Sequence, residues 1–263
     1  MPLSVLEVKP WKNMNRYKWI FLFFFIIIQG CAPRSDKNKT LSPPANTEWV
    51  TVGIKLPAGI EALPLNVLYR SEICQRARYN SAGEKYYISG FNSETIVLKQ
   101  QGSSDIYQTK IALNGGGSCQ WQLSEAWMSI RYKKILNTDS DFEAIPSNRL
   151  ILIFNNHKYN QGEIIRNLIK NEKIELNYYP VFINNKISNE KKITLFDNWY
   201  GSQYISTNNE KNILFTPIYH KDNITKIDIP KERGTDIIIY YSDGTIEKVK
   251  YWRPNYNKLK SLN

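Results

Sequence analysis

The chain has 263 residues, of which 42% are hydrophobic and 22% charged, and its formal net charge is +11. This composition excludes an intrinsically disordered chain and supplies enough apolar surface for one large domain or two small ones. No block of Lys or Arg is long enough for a nucleic-acid arm, so no nucleic-acid partner is expected, and the positive balance reads as a solvated surface drawn to anionic ones. The first element is an apolar run from Trp19 to Ile28, preceded by Arg16 and Lys18 and followed by Gly30 and Cys31. A basic region, an apolar stretch and a small residue in that order are the layout of an export signal. Ten helical residues rise only about 15 Å, half of a bilayer core of about 30 Å, so a cleaved signal over residues 1–30 is expected rather than a membrane span. Met14 makes a more compact start for that signal than Met1.

The residues Ile28-Gln29-Gly30-Cys31 resemble the lipobox of bacterial lipoproteins, in which an aliphatic residue, a small residue and a cysteine close the signal. Gln29 departs from the small or aliphatic residue usual at its place. The resemblance covers residues 14–31 alone. It implies cleavage before Cys31, with diacylglycerol on its sulfur and a further acyl chain such as palmitate, and so a bilayer as partner. Ala32, where an Asp would mark inner-membrane retention, implies the outer membrane and its periplasmic face. Removal of residues 1–30 leaves 31 basic and 23 acidic residues, a balance of +8. Residues 31–47, with Pro33, Pro43 and Pro44 and little apolar content, read as a flexible tether after the lipidated cysteine. Such a tether reaches at most roughly 50 Å.

With Cys31 given to lipid, Cys74 and Cys119 remain, an even pair 45 residues apart in an oxidising compartment. They are expected to form one disulfide. Cys119, Trp121 and Leu123 alternate with Gln120, Gln122 and Ser124, which places Cys119 on the inward face of a strand. A cystine beside a tryptophan resembles immunoglobulin-type sandwiches.

From residue 48 the chain reads as strands. Val50, Val52, Ile54 and Leu56 alternate with polar or small residues, as do Leu65, Val67 and Tyr69, then Tyr107 to Leu113. Turn signals at Pro57–Gly59, Asn80–Gly83, Gly102–Asp105 and Gly115–Gly117 separate them. The expected fold is mostly β, with a disulfide-bonded antiparallel sandwich over residues 48–140. The polar stretch from Asn137 to Asn148 is taken as a boundary, and a second β-rich domain is expected over residues 150–263. In it, hairpins are expected across Asn184-Asn185 and at Ser242-Asp-Gly-Thr245. Ile164, Ile165, Leu168 and Ile169 suggest a short helix over residues 162–171.

Motifs of chemistry are scarce. Gly115-Gly-Gly-Ser118 lacks the lysine of a phosphate loop and is not a nucleophile elbow; it reads as a tight hairpin turn with positive φ, or as a surface where its backbone closely meets a partner. Asp139, Asp141 and Glu143 alternate, but Ala144 and Leu150 stand where a calcium loop needs Gly and Glu. His157 and His220, the two histidines, have no partner at metal-ligand spacing, and no carboxylate pair stands out. No catalytic residue, metal ligand or cofactor is assigned. The aromatic residues Tyr178, Tyr179, Trp199, Tyr200 and Tyr204 cluster in the second half; aromatics of β proteins more often belong to the core and to cross-strand pairs, and the alternative is a candidate binding face for carbohydrate. The reading is a non-catalytic, membrane-anchored envelope lipoprotein that binds another envelope protein or a toxin, as an assembly or immunity-type component. The alternative is a module for glycan or lipopolysaccharide, built on those aromatics and the positive charge.

Overall fold

The structure, a computed structural model, describes residues 39–133, 141–154, 165–166, 172–198, 201–207, 209–232 and 234–262. All of them belong to one compact unit, Asn38–Asn263. The expected export signal, Cys31, Trp199 and Tyr200 lie outside the described residues. In chain order the first strands are β1 (Trp49–Lys55), β2 (Ile60–Ala62), β3 (Leu65–Tyr79), β4 (Lys85–Ile96), β5 (Lys99–Gln100) and β6 (Ile106–Ala112). Next come β7 (Asn114–Gly116), β8 (Trp121–Met128), β9 (Ile130–Tyr132), β10 (Glu143–Ala144), β11 (Leu150–Ile153) and β12 (Ile165–Arg166). The last are β13 (Lys173–Asn185), β14 (Glu190–Phe196), β15 (Gln203–Ser206), β16 (Asn212–Tyr219), β17 (Thr225–Ile229), β18 (Ile237–Tyr240) and β19 (Ile246–Val249). One short helix, α1 (Tyr256–Ser261), follows.

The strands build two main sheets, so the fold is mostly β and sandwich-like, as the alternating pattern predicts. The larger has the order β19-β18-β17-β13-β16-β1-β6-β5, with β14 and β10 branching from β13. The smaller has the order β12-β15-β11-β8-β3-β4, with β7 on β8. A continuous core joins Val50, Val52, Ile54, Ile174, Tyr178 and Phe215 of the larger sheet to Val67, Leu123, Met128, Leu150, Leu152 and Ile205 of the smaller. Each fully buried aliphatic side chain there contributes about 1.5–3 kcal/mol. A second cluster lies on Tyr179, Val181 and Ile183 of β13, closed by Ile227, Ile239, Tyr241 and Leu259 of α1. The helix starts at Asn255, whose side chain accepts from the Lys258 amide at 3.3 Å.

The expected boundary between residues 140 and 150 does not divide the fold. β1 pairs in parallel with β16, Val52 opposite Ile213, and β8 pairs antiparallel with β11, Met128 opposite Leu150. Both sheets therefore contain strands from both halves. The cause is legible in β11: all four residues of Leu150-Ile-Leu-Ile are buried, so the strand needs cover on both faces and neighbours on both edges. Antiparallel pairing holds within the hairpins, while β1–β16, β13–β16, β13–β17 and β11–β15 are parallel.

Of three local expectations, one holds and two shift. The Asp-Gly hairpin forms as expected between β18 and β19, with Gly244 at φ +82° and the Tyr241 amide bonded to Thr245 O at 3.0 Å. The other hairpin turns later than Asn184-Asn185: β13 runs through Asn185, which pairs with Glu190. Asn185 Oδ1 accepts from the Ile187 and Ser188 amides and starts the turn, and Asn189 completes it at φ +55°. Residues 165–166 form β12, parallel to β15, in place of a helix; the rest of the expected helix lies outside the described residues.

Candidate functional site

The N-terminal residues of the described chain are docked, which corrects the expectation of a tether through residue 47. They form a strap across the three consecutive glycines. The Ser42 amide donates to Gly115 O at 2.8 Å, and Ser42 bridges Gly116. Asn92 Nδ2 donates to Lys39 O at 2.6 Å, and Thr47 Oγ1 donates to Asn114 O at 3.1 Å. Leu41 packs against the main core. The glycines are what the strap requires. A Cβ on Gly115 would press on the Tyr69 ring and Leu41, and one on Gly116 or Gly117 would overlap the carbonyl oxygens of Ser42 or Thr40. Gly116 and Gly117 also have φ of +59° and +71°. The turn reading of this run therefore holds, and what lies close against its glycines is the chain's own strap rather than a partner.

Beside the strap stands the β3–β4 hairpin. Its inner part is core: Leu65, Val67 and Tyr69 are buried, and the Tyr69 hydroxyl donates to Ala112 O at 3.0 Å. Burial, then the charge of Glu94, pushes that phenol well above its ordinary range. At Ser71 the ladder breaks. Ser71 pairs with Gly90 and Arg76 with Ile88, so residues 72–75 oppose Ser89 alone. This bulge carries Cys74, bonded to Cys119 with a Cα–Cα distance of 5.4 Å. Ser71 Oγ donates to Cys119 O at 2.6 Å and accepts from the Cys74 amide at 2.9 Å. Gly90 lies against the bulge, where a Cβ would overlap the Cys74 carbonyl oxygen. Cys119 is buried as expected, but it sits in the turn before β8 rather than in the strand. β3 and β8 are neighbours in one sheet, so the disulfide clamps a sheet margin. The immunoglobulin-type cystine between two sheets is not what forms.

Beyond the bulge the hairpin continues as an arm, with Tyr79 67%, Tyr86 48% and Tyr87 58% exposed. Arg76 lies 3.7 Å over the Phe91 ring centre, and Lys85 lies 5.1 Å from that of Tyr87. At the tip, Asn80 Oδ1 accepts from the amides of Ala82 and Glu84 at 3.0 and 2.9 Å.

Of the two readings of the second-half aromatics, the core reading holds for Tyr178 and Tyr179, and the candidate binding face does not form from them. Both are buried, at 1% and 0% exposure. As successive residues of β13 they point to opposite faces: Tyr178 into the main core against Phe215, Tyr179 into the second cluster against His220 and Tyr256. Burial, reinforced by the charge of Asp197, pushes the Tyr178 phenol far above its usual range, so it stays neutral. Asp197 is itself buried and accepts from Gln203 Nε2 at 2.7 Å and Asn148 Nδ2 at 3.0 Å. The imidazole of His220 stacks on Tyr179 at 4.7 Å, with Nε2 2.7 Å from Asn177 Oδ1, and burial lowers its pKa from 6.5.

Elsewhere a cleft of about 460 Å³ is lined by Phe196, Glu247, Arg253 and Tyr256, among others. Glu247 accepts from the Tyr241 hydroxyl at 2.6 Å, and no second acid or histidine lines the cleft among the described residues. Asp141 of the acidic stretch pairs with Lys191 at 3.1 Å. No group of three His, Cys, Asp or Glu capable of holding a metal ion occurs among the described residues. The geometry thus presents a strap, a clamped bulge and an exposed arm of aromatic and basic residues. Compared with family models, with curated proteins and with solved structures, the chain matches none.

Proposed function

We propose that the chain is a membrane-anchored envelope lipoprotein, lipidated on Cys31 and facing the periplasm from the outer membrane, whose β body binds another envelope protein or a toxin without chemistry of its own. The observation that carries the reading is the junction of signal and body. The lipobox-like Ile28-Gln29-Gly30-Cys31 follows an apolar run and stands eight residues before Lys39, where the chain is already fastened to the sheet. A short leash between a lipid and a docked strap suits a protein held at a bilayer. The arm, exposed on aromatic and basic side chains, suits contact rather than catalysis. The glycan alternative loses support, because Tyr178 and Tyr179 are core residues.

The test is fractionation of the Cys31→Ser variant. Wild-type protein is expected in the membrane fraction at the mature size, carrying acyl mass on its first residue. The variant is expected to accumulate as unprocessed precursor. Membrane association of the variant at the mature size would overturn the reading.

A further inference from the structure

We propose that the β3–β4 arm seats on the anionic lipid headgroups of the membrane that carries Cys31, and so fixes which face of the body meets the bilayer. The proposal rests on the lipid-anchor reading and adds a second contact to it.

A tether lasting to residue 47 would let the body wander by roughly 50 Å. The docked strap shortens it: from Cys31 to Lys39 the chain spans at most about 28 Å. Lys39 is held by Asn92, whose partner across the ladder is Tyr69, two residues before the bulge begins. The tether therefore leaves the body at the base of the arm. From Asn92 to the tip at Gly83 the arm is at most about 30 Å long at the usual rise per strand residue. Arm and tether thus start together and have similar lengths, so a bilayer holding Cys31 is within the arm's reach.

Between Arg76 and Ile88 the arm carries Arg76, Arg78 and Lys85 against one acid, Glu84. Tyr79, Tyr86 and Tyr87 are exposed among them. Basic groups are drawn to an anionic leaflet, and tyrosines settle at the headgroup level with the ring toward the acyl boundary and the hydroxyl in water. The register sets two mixed faces: Ala77 and Tyr79 oppose Tyr87 and Lys85, while Arg76 and Arg78 oppose Ile88 and Tyr86. Either face joins tyrosine to a cation, as an interfacial contact requires.

A two-stranded hairpin outside a sheet is marginal in water. This one is secured at its root by the disulfide and the stacking of Arg76 on Phe91, and at its tip by Asn80. A projecting element held at both ends loses little further freedom on docking.

The test uses the full lipidated protein bearing Ala82→Cys. Cys74 and Cys119 are bonded and Cys31 carries lipid, so a polarity-sensitive dye attaches at the arm tip alone. The protein is reconstituted into vesicles of phosphatidylcholine, with or without phosphatidylglycerol, and with a headgroup spin-label quencher. Flotation of the same samples reads the anchor. The expected result is quenching at the tip on phosphatidylglycerol vesicles, weakened by salt. In the Arg78→Glu, Lys85→Glu double variant, tip occupancy is expected to fall about tenfold or more. Protein that floats while its dye is equally unquenched on both vesicles, or quenched regardless of the charge reversal, overturns the arm contact and leaves the anchor standing. Protein that does not float overturns both.

Discussion

At the scale of single residues, alternation reports burial faithfully. Val50, Val52, Leu65, Val67, Tyr69, Trp121 and Leu123 are all buried, as period-two patterning predicts. Alternation does not report which of two cores a residue enters: Tyr178 and Tyr179 are neighbours in sequence, yet β13 sends them into different clusters. Gly90 gives no signal at all in the sequence, because its constraint is a carbonyl 16 residues away, that of Cys74. Gly90→Ala is expected to force the bulge apart and cost about 1–3 kcal/mol in chemical denaturation, as overpacking does, whereas Gly83→Ala at the exposed tip meets no neighbour and strains only its own positive φ. His220 gives a pH signature of stated sign. Its folded pKa lies below 6.5, so the unfolded chain takes up the proton first as pH falls. The contribution is intact above about pH 6.5, declines as pH drops through that value, and levels off below the folded pKa. The NMR titration of His220 is expected to have its midpoint below 6.5, and His220→Gln to flatten the acid limb of the Tm profile.

At the scale of elements, the sequence marks hairpins by their turn residues but is silent on the strap. Residues 39–47 hold mostly through backbone groups, among them Ser42 N to Gly115 O and the carbonyl of Lys39, and a main-chain bond leaves no trace in side-chain pattern. The partner side did leave one: three glycines in a row exceed what a turn needs, and the excess is the space occupied by Thr40 and Ser42. Leu41 is the lone apolar residue that the polar composition of this stretch concealed. Ser42→Pro deletes the 2.8 Å amide bond without touching the core. The expected loss is about 1 kcal/mol, the usual net worth of such a bond. Trypsin is expected to cut after Lys39 several times faster, while the Cys74–Cys119 bond and the far-ultraviolet dichroism stay as they are. Unchanged cleavage would mean that the strap is held by Asn92 and Thr47 alone.

At the scale of the whole molecule, a polar stretch with a proline imitates a domain boundary, and composition cannot tell a linker from a crossing. The parallel pairs decide it. β1 lies between β6 of the first half and β16 of the second, and β11 lies between β8 and β15 in the same way. Parallel neighbours need long connections, so strands adjacent in space come from distant sequence, which no local window detects. Cutting the chain at residues 134–140 would leave each half with open edges and half of the main core. Fragments 39–133 and 141–263 are therefore expected to be unfolded or aggregated when produced alone, each exposing long apolar strands such as β11. Produced together, they are expected to assemble into one particle of the parent size that melts in a single transition, because Val52 meets Ile213 and Met128 meets Leu150 only across the cut. Calorimetry of the intact body is expected to give one cooperative transition for the main core. A fragment 141–263 that folds alone with the dichroism of its strands would show that the second cluster, on Tyr179, Ile227 and Leu259, suffices as an independent core.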